Sequence, residues 1–479
     1  MLIAANHVRR TSYGPNSPVV GERGARTRGA IVDAALKSFE AKGLHATSVE
    51  DIAEAAGISR ATLYQYFESK EQVFIELIRG AAADLLRGIR RLGPLGPTAA
   101  GYDNLHWWLG EWAWIQDKYR ALYLQWEVVD SPQASLRPVI GEYIVSYVSS
   151  LAPRLAAAVD DDVDVDGVAT VLLALLFRLN DYRQRGITRT LSDDELLDAV
   201  ATFVQLALFP STPGEALTVH AAPTHPARAA VTAHRRSHNA RGRSESHQKP
   251  LESGNASGEQ IPKTVQRILD AGATTFAVHG FHAASVHDVL QAAGVGRGTF
   301  YKYFDDKTDL LVTLAQHCMV RLGELAGRFA DAVSANDEAP ALRRWLEECI
   351  ALHRRYQGVF RALLQEESRQ PGLKELRMRS GAAILLAFDD ALAGIDREHP
   401  FDVRVGSLVL LALLERGPDY TFGTAYDLTD ERIVNVLAAL IDRGLLGRTP
   451  ARARRLRPST PARTTKHPLV RPSRKPAHP

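Results

Sequence analysis

Cysteine is nearly absent: the 479 residues hold two, Cys318 and Cys349. Two thiols so far apart offer no disulfide framework and no paired zinc knuckle, so a reducing compartment fits best. Long apolar runs are missing too. The longest are Val168 to Phe177, interrupted by Thr170, and Leu408 to Leu414. A bilayer span needs about 18 residues, so no membrane segment is expected. Met1 to Arg10 lacks an apolar core ahead of Arg9 and Arg10, which argues against a secretory signal. No stretch alternates with period two between hairpin turns, so sheets are not expected. There is no nucleophile elbow, phosphate loop, zinc spacing or paired-carboxylate context, so no catalytic residue, metal or cofactor is predicted. Asp160, Asp161 and Asp162 with Asp164 and Asp166 resemble an acidic loop. They lack the glycine and glutamate of a calcium loop and read as a solvated turn. What remains is ordinary for a globular chain: 45% apolar and 24% charged residues.

Acidic residues are also missing from the last 32 positions. Arg448 to Pro479 holds ten Lys/Arg, seven prolines and no Asp/Glu, while the rest of the chain carries a net charge of −7. This basic tail, 448–479, is predicted to be disordered, either a non-specific clamp on a polyanion or a solvated appendage. A second compositional break, 213–259, is rich in Pro, Gly, Ser and Ala and reads as a flexible linker. Its five histidines, His220, His225, His234, His238 and His247, are irregularly spaced and have no thiol partner, so they are not read as a metal site.

The linker separates two segments that repeat each other. At a constant offset of 237, residues 27–74 and 264–311 share 20 identities in 48 ungapped positions, which means duplication. Leu175 to Tyr182 matches Leu413 to Tyr420, and a helical run follows in each copy, Asp193 to Phe209 and Asp430 to Leu446. In the first copy Ile31, Ala34, Ala35 and Phe39 form an apolar stripe at helical spacing, stopped by Gly43. Ser48 with Asp51 starts the next helix and Gly57 ends it. Ser59 caps a third helix to about Phe67, and Lys70 opens a fourth. Two short helices around a tight glycine turn form a helix-turn-helix, whose second helix can enter the major groove of DNA. Leu63 and Phe67 point inward. The opposite face is Ala61 and Gln65, flanked by Thr62 and Tyr64; in the second copy it is Gly298 and Lys302, flanked by Thr299 and Tyr301. Arg60 and Arg297 lie in the first turn, within reach of a base edge or a phosphate.

Thr47 to Phe67 followed by Lys70, and Ser285 to Phe304 followed by Lys307, resemble the DNA-binding domain of TetR-family transcriptional regulators. The resemblance implies an all-α fold of two tandem units, each a three-helix DNA-binding domain plus a helical body that holds an effector and pairs subunits. It implies that Arg60, Ala61, Thr62 and Tyr64 meet bases and phosphates, with Ser48, Ser59 and Gln65 on the same surface, and that Tyr66 and Lys70 contact the DNA backbone. The same roles carry to Arg297, Gly298, Thr299, Tyr301, Tyr303 and Lys307, with Ser285 and Lys302 beside them. The second copy departs at Gly296, where Ser59 supplied a cap oxygen, and at Gly298. A glycine inside a helix costs about 1 kcal/mol against alanine, so a looser second recognition helix is expected. The modules are not basic. Residues 27–74 hold five Lys/Arg against seven Asp/Glu, and one module of a duplicate can degenerate.

The expected domains are an N-terminal arm, 1–21; DNA-binding domain 1, 22–80; body 1, 81–212; the linker; DNA-binding domain 2, 260–316; body 2, 317–447; and the tail. Body 1 concentrates five of the six tryptophans between Trp107 and Trp126. Trp108 and Trp112 share a helical face, Tyr119 and Tyr123 repeat the spacing, and Trp126 follows. Together they line either a pocket for a small apolar or aromatic effector or a Trp-rich core. Of that set body 2 has only Trp345. The resulting expectation is a cytoplasmic, nucleoid-associated, non-enzymatic repressor with a double-stranded DNA operator as partner, released by that effector. The alternative is a carrier of aromatic or lipophilic ligands, or an enzyme, that retains relict modules. Gln65 favours adenine and Lys302 guanine, so unequal half-sites are expected. The linker's reach of roughly 38 Å would let the two units form an intramolecular pseudo-dimer, the alternative being a homodimer of chains.

Overall fold

A computed structural model describes residues 21–124, 137–159, 163–188, 191–218, 262–334, 338–366, 370–395, 402–416 and 428–448. Most of the linker, all of the basic tail beyond Arg448, Trp126 and the acidic residues 160–162 lie outside the described residues. Among the described residues every regular element is a helix. None of these helices is long and apolar enough to cross a membrane.

The first unit opens with α1 (Glu22–Ala46), whose regular winding breaks at Gly43, φ 79°. The predicted stripe is buried, with Ile31 and Ala35 fully enclosed. Next come α2 (Val49–Ala55), α3 (Arg60–Tyr66) and α4 (Lys70–Arg91). α4 runs through position 80 without a break. Val73, Phe74 and Leu77 close the small module, while Leu85 and Ile89 face the body. Module and body therefore share one rod, and no loop divides them where the sequence suggested a boundary. α5 (Ala99–Lys118), α6 (Arg120–Leu124), α7 (Arg137–Ala156), α8 (Val165–Gln184) and α9 (Asp193–Leu208) complete the unit.

The second unit repeats the plan with α10 (Lys263–His279), α11 (Val286–Ala293), α12 (Arg297–Tyr301) and α13 (Lys307–Gly327). Then follow α14 (Phe329–Ser334), α15 (Glu338–Glu366), α16 (Pro371–Ala393), α17 (Val403–Arg416) and α18 (Asp430–Leu440), which ends in a π turn, Ile441–Leu445. α15 continues where the first unit breaks at Tyr119. It presses so closely on α10 that a Cβ at Gly358 would fall 2.3 Å from the Phe276 and Ala277 backbone, so only glycine fits.

The long apolar run from Val168 to Phe177 finds its explanation in α8. That helix is covered by α7 on one side and by α17 and α18 of the second unit on the other. Val168 to Leu176 is buried throughout. α9 likewise packs on α17, α18 and the π turn. One apolar core thus runs from Ile31 through body 1 and across into body 2 as far as Leu446. A second, from Ile268 to Leu373, belongs to module 2 and the helices beneath it.

Candidate DNA interface

Each module builds its two short helices from side-chain caps. The Ser48 hydroxyl accepts from Asp51 N at 3.1 Å, and Asp51 accepts from Ser48 N at 2.8 Å. Ser285 and Asp288 form the same box, at 3.2 and 2.8 Å. The Lys42 ammonium, 2.6 Å from Asp51, adds to the Ser48 bonds and holds that carboxyl well below the usual range. Ser285 alone supplies the main pull on Asp288. Gly57 and Gly294 make the turns at φ 66° and 62°, in the left-handed region that favours glycine.

The recognition helices then diverge. Ser59 accepts from Thr62 N at 3.1 Å and starts a seven-residue α3. Gly296 offers no side-chain cap, and α12 is five residues long. α12 is therefore both shorter than α3 and without a side-chain cap. Leu63, Phe67, Phe300 and Phe304 are buried as predicted. On the opposite face Arg60, Ala61, Tyr64 and Gln65 are exposed with Thr62 and Tyr66 half-buried, and in the second copy Arg297, Gly298, Tyr301, Lys302 and Tyr303 are exposed with Thr299 half-buried. The exposed side of each recognition helix therefore carries the recognition-helix residues that the resemblance singled out.

Two details were not legible in the sequence. Arg60 is drawn back over its own helix. It pairs with Glu50 of α2, donates to the Tyr64 hydroxyl at 3.2 Å, and lies 5.3 Å from that ring's centre. In module 2 the place of Glu50 is held by His287. Arg297 rests over the Tyr301 ring at 5.6 Å and meets no carboxylate among the described residues.

The second detail concerns Lys70, expected at the DNA backbone. Its ammonium donates to the carbonyls of Leu44, His45 and Thr47 at 2.8, 2.9 and 2.9 Å. Lys307 donates to Phe281, His282 and Ala284 at 2.9, 3.1 and 3.1 Å. An ammonium has three N–H donors, so none is left for a phosphate. These lysines instead strap the segment between the first two helices to the start of the fourth.

In body 1 the aromatic run is mostly core. Trp108, Trp112 and Tyr119 are buried. Tyr119 seats its hydroxyl on Asp84 at 3.1 Å, beside Lys118. Tyr123 belongs to α6, but its side chain, like all of Trp126, lies outside what the structure describes. Trp112 meets Phe177 edge-on at 5.2 Å, and Phe177 meets Tyr143 at 6.5 Å. Within this cluster the Trp112 indole N–H is directed at the buried Tyr147 hydroxyl, and both amide atoms of Gln116 complete no hydrogen bond among the described residues. Gln116 and Tyr147 are fully buried, and burial pushes the Tyr147 hydroxyl above its ordinary pKa. Orphaned buried polar atoms are rare, because each forfeits its hydration without return. Sequence reasoning missed Gln116 and Tyr147; the signal was a polar residue one helical turn beyond Trp112. Trp345 donates to Leu325 O at 2.8 Å and packs on Phe329 at 4.9 Å. Cys318 and Cys349 are free and buried, with burial raising both thiols.

Two capped helix pairs, each presenting an exposed polar and aromatic face on a closed apolar base, define a helix-turn-helix protein with two modules. The family model for bacterial regulatory proteins of the tetR family matches this chain at both, over residues 31–77 and 268–314. The chain thus carries two copies of a domain that matches that family's DNA-binding model. It is similar to the HTH-type transcriptional repressor KstR2 of Rhodococcus jostii, 39% identical over 90 residues, which covers 19% of this chain and 41% of that protein. The repressor LfrR of Mycolicibacterium smegmatis is 40% identical over 90 residues, covering 19% and 46%. The activator FasR of the same species is 34% identical over 64 residues, covering 13% and 29%. Each match spans less than half the length of the relative.

Proposed function

We propose that this chain is a sequence-specific DNA-binding transcriptional regulator that occupies an operator through both modules and leaves it when a small effector enters body 1. The carrying observation is the pair of exposed faces, Arg60 to Tyr66 and Arg297 to Tyr303, on recognition helices pinned by buried Leu63, Phe67, Phe300 and Phe304. A helix so mounted can lie in the major groove while the preceding helix crosses the backbone. Arg, Thr and Tyr are shared between the faces, whereas Gln65 stands against Lys302 and Ala61 against Gly298. Related but unequal half-sites follow, hence an imperfect palindrome.

The two units work as an intramolecular pseudo-dimer on one operator. Support comes from the packing of α8 and α9 on α17 and α18, where the core continues across the contact. The effector of body 1 is apolar or aromatic with one polar group. The buried Gln116 amide, one helical turn beyond Trp112, can pair with such a group.

A gel shift with DNA from upstream of the protein's own gene, at moderate salt, tests the reading. A specific shift is expected, and unshifted DNA would leave a ligand carrier as the better account. Light scattering tests the pairing: a free mass near the 52.5 kDa of one chain is expected, and twice that value overturns it.

A further inference from the structure

The faces that meet between the two units differ, and the differences are complementary. Aligning the terminal helices sets Asp164 on Asp402 and Ser192 on Thr429, so every cross-unit contact has an image in which the two units exchange roles.

Asp164 binds Arg432 through two bonds of 3.0 and 2.9 Å. The image of that pair is Asp402 and Glu195, two carboxylates. Arg404, 2.7 Å from Asp402, also acts electrostatically on Glu195. Arg178 and Tyr182 both donate to Glu415 at 2.6 Å. The image of Glu415 is Phe177, which turns into its own unit against Trp112. The apolar pairs alternate in size. A Cβ on Gly444 would lie 2.6 Å from the Phe203 ring, and the image pair is Ala207 with Leu440. A Cβ on Gly167 would lie 2.8 Å from Val436, and the image pair is Val405 with Ala199.

We propose that this surface is a pairing code: the terminal helices of the first unit accept the second unit and reject a second copy of themselves. Two first units face to face would set Asp164 against Glu195 twice. Each Arg178 would meet Phe177 in place of a carboxylate, and each Ala207 would enter a Phe203 ring. Two second units would keep an attractive Asp402 and Arg432 but drive Val405 into Val436 twice. Specificity of this kind needs both the attractive contact and the penalty on the wrong partner. Removing the acid from a buried guanidinium is the severe charge penalty, and overlap in a packed core is the severe steric one. The chosen partner is a non-identical unit of the same protein, which deepens the pseudo-dimer reading and rests on it.

The test keeps the full chain. A protease site is placed within 219–261, the folded protein is nicked without denaturant, and native mass spectrometry reads the species present. The halves are expected to stay together one to one, near the 52.5 kDa of the chain. When mixed with isotope-labelled nicked protein they should exchange only into pairs of unlike units. Pairs of two first units, or free halves, overturn the proposal. A second protein, Glu195→Arg with Phe203→Leu, gives the first unit the residues of the second at those positions. After nicking it should yield first-unit pairs that the unaltered chain lacks entirely. Continued absence of those pairs shows that the charge and the ring are not what rejects them, and the proposal fails. No DNA is present in these measurements, so a failure of operator binding registers only in the gel shift.

Discussion

Module 1 and module 2 share a fold, the Ser–Asp caps and the lysine strap, and they differ in how firmly the DNA-facing residues are held. Module 1 fixes its recognition helix through the Ser59 hydroxyl and parks Arg60 on Glu50 and Tyr64. Module 2 has a glycine at the cap and a histidine in place of the glutamate. It stabilises its turn elsewhere, through Arg267, whose guanidinium donates to the carbonyls of Ala293 and Gly294. A duplicated domain can therefore lose the bonds that order a helix end while retaining those that hold the helices together. The retained lysine strap ties segments distant in sequence, whereas the retained Ser–Asp caps are as local as the cap that is lost. The lost ones are local, and each contributes only about 1 kcal/mol.

The largest effect that probes this contrast is removal of the shared strap. Lys70→Met and Lys307→Met should each destabilise their module by about 2–3 kcal/mol, since three carbonyls lose a charged donor. Thermal melting measures the loss. Under conditions where the variants remain folded, the salt dependence of DNA binding should be unchanged. A slope smaller by about one would return these lysines to the phosphate backbone.

Next come the readers. Tyr64→Ala and Tyr301→Ala should each weaken specific binding by roughly tenfold, about 1.4 kcal/mol, within the range of a lost specific contact. If the Tyr301 variant binds as tightly as the parent, module 2 does not read DNA and the symmetry of function is broken. Smaller is the effect of ordering α12. Gly298→Ala should stabilise module 2 by about 1 kcal/mol, because its Cβ would enter open space and its φ is not positive. Gly296→Ser should add a few tenths of a kcal/mol. Ser59→Ala in module 1 should cost about 1 kcal/mol. Amide exchange at the starts of α3 and α12 reads all three.

The smallest contrast is in acid. Asp51 and Asp288 both have folded pKa values below the unfolded value of about 3.9. Each therefore contributes a cap that is complete above that value and is lost as pH falls through the folded value. The Lys42 ammonium depresses Asp51 further, so α11 should lose its cap at a higher pH than α2. Carboxyl-carbon titration by NMR checks the order, and a reversed order would mean that Lys42 does not pair with Asp51 in solution.

Much of this was legible along the chain. The stripe of Ile31, Ala35 and Phe39, the stops at Gly43 and Gly57 and the caps at Ser48 and Ser59 are relations within four residues or so, set by helical geometry and by hydrogen bonding between near neighbours. The inward and outward faces of α3 followed from the same periodicity. The direction of Lys70 was not legible, because its carbonyl partners lie 23 to 26 residues earlier. Nor was the role of Asp164. An acidic, hydrophilic segment read as a solvated turn, yet that residue caps α8 and binds Arg432 across 268 positions of sequence. The Trp-rich stretch gave its helical spacing but not the fact that Trp108 and Tyr119 face α4 while Trp112 faces Phe177.

The sequence by itself determined that this is an all-helical chain, that it contains one unit twice, and that each copy carries a helix-turn-helix with a defined outward face. Those properties depend on local periodicity, capping and ungapped identity. Only the tertiary structure decided which charges are used internally, which aromatic residues are core, and which unlike surfaces of the two copies fit. Those depend on groups separated by tens to hundreds of residues, and their energies exist only once the chain has brought them within contact distance.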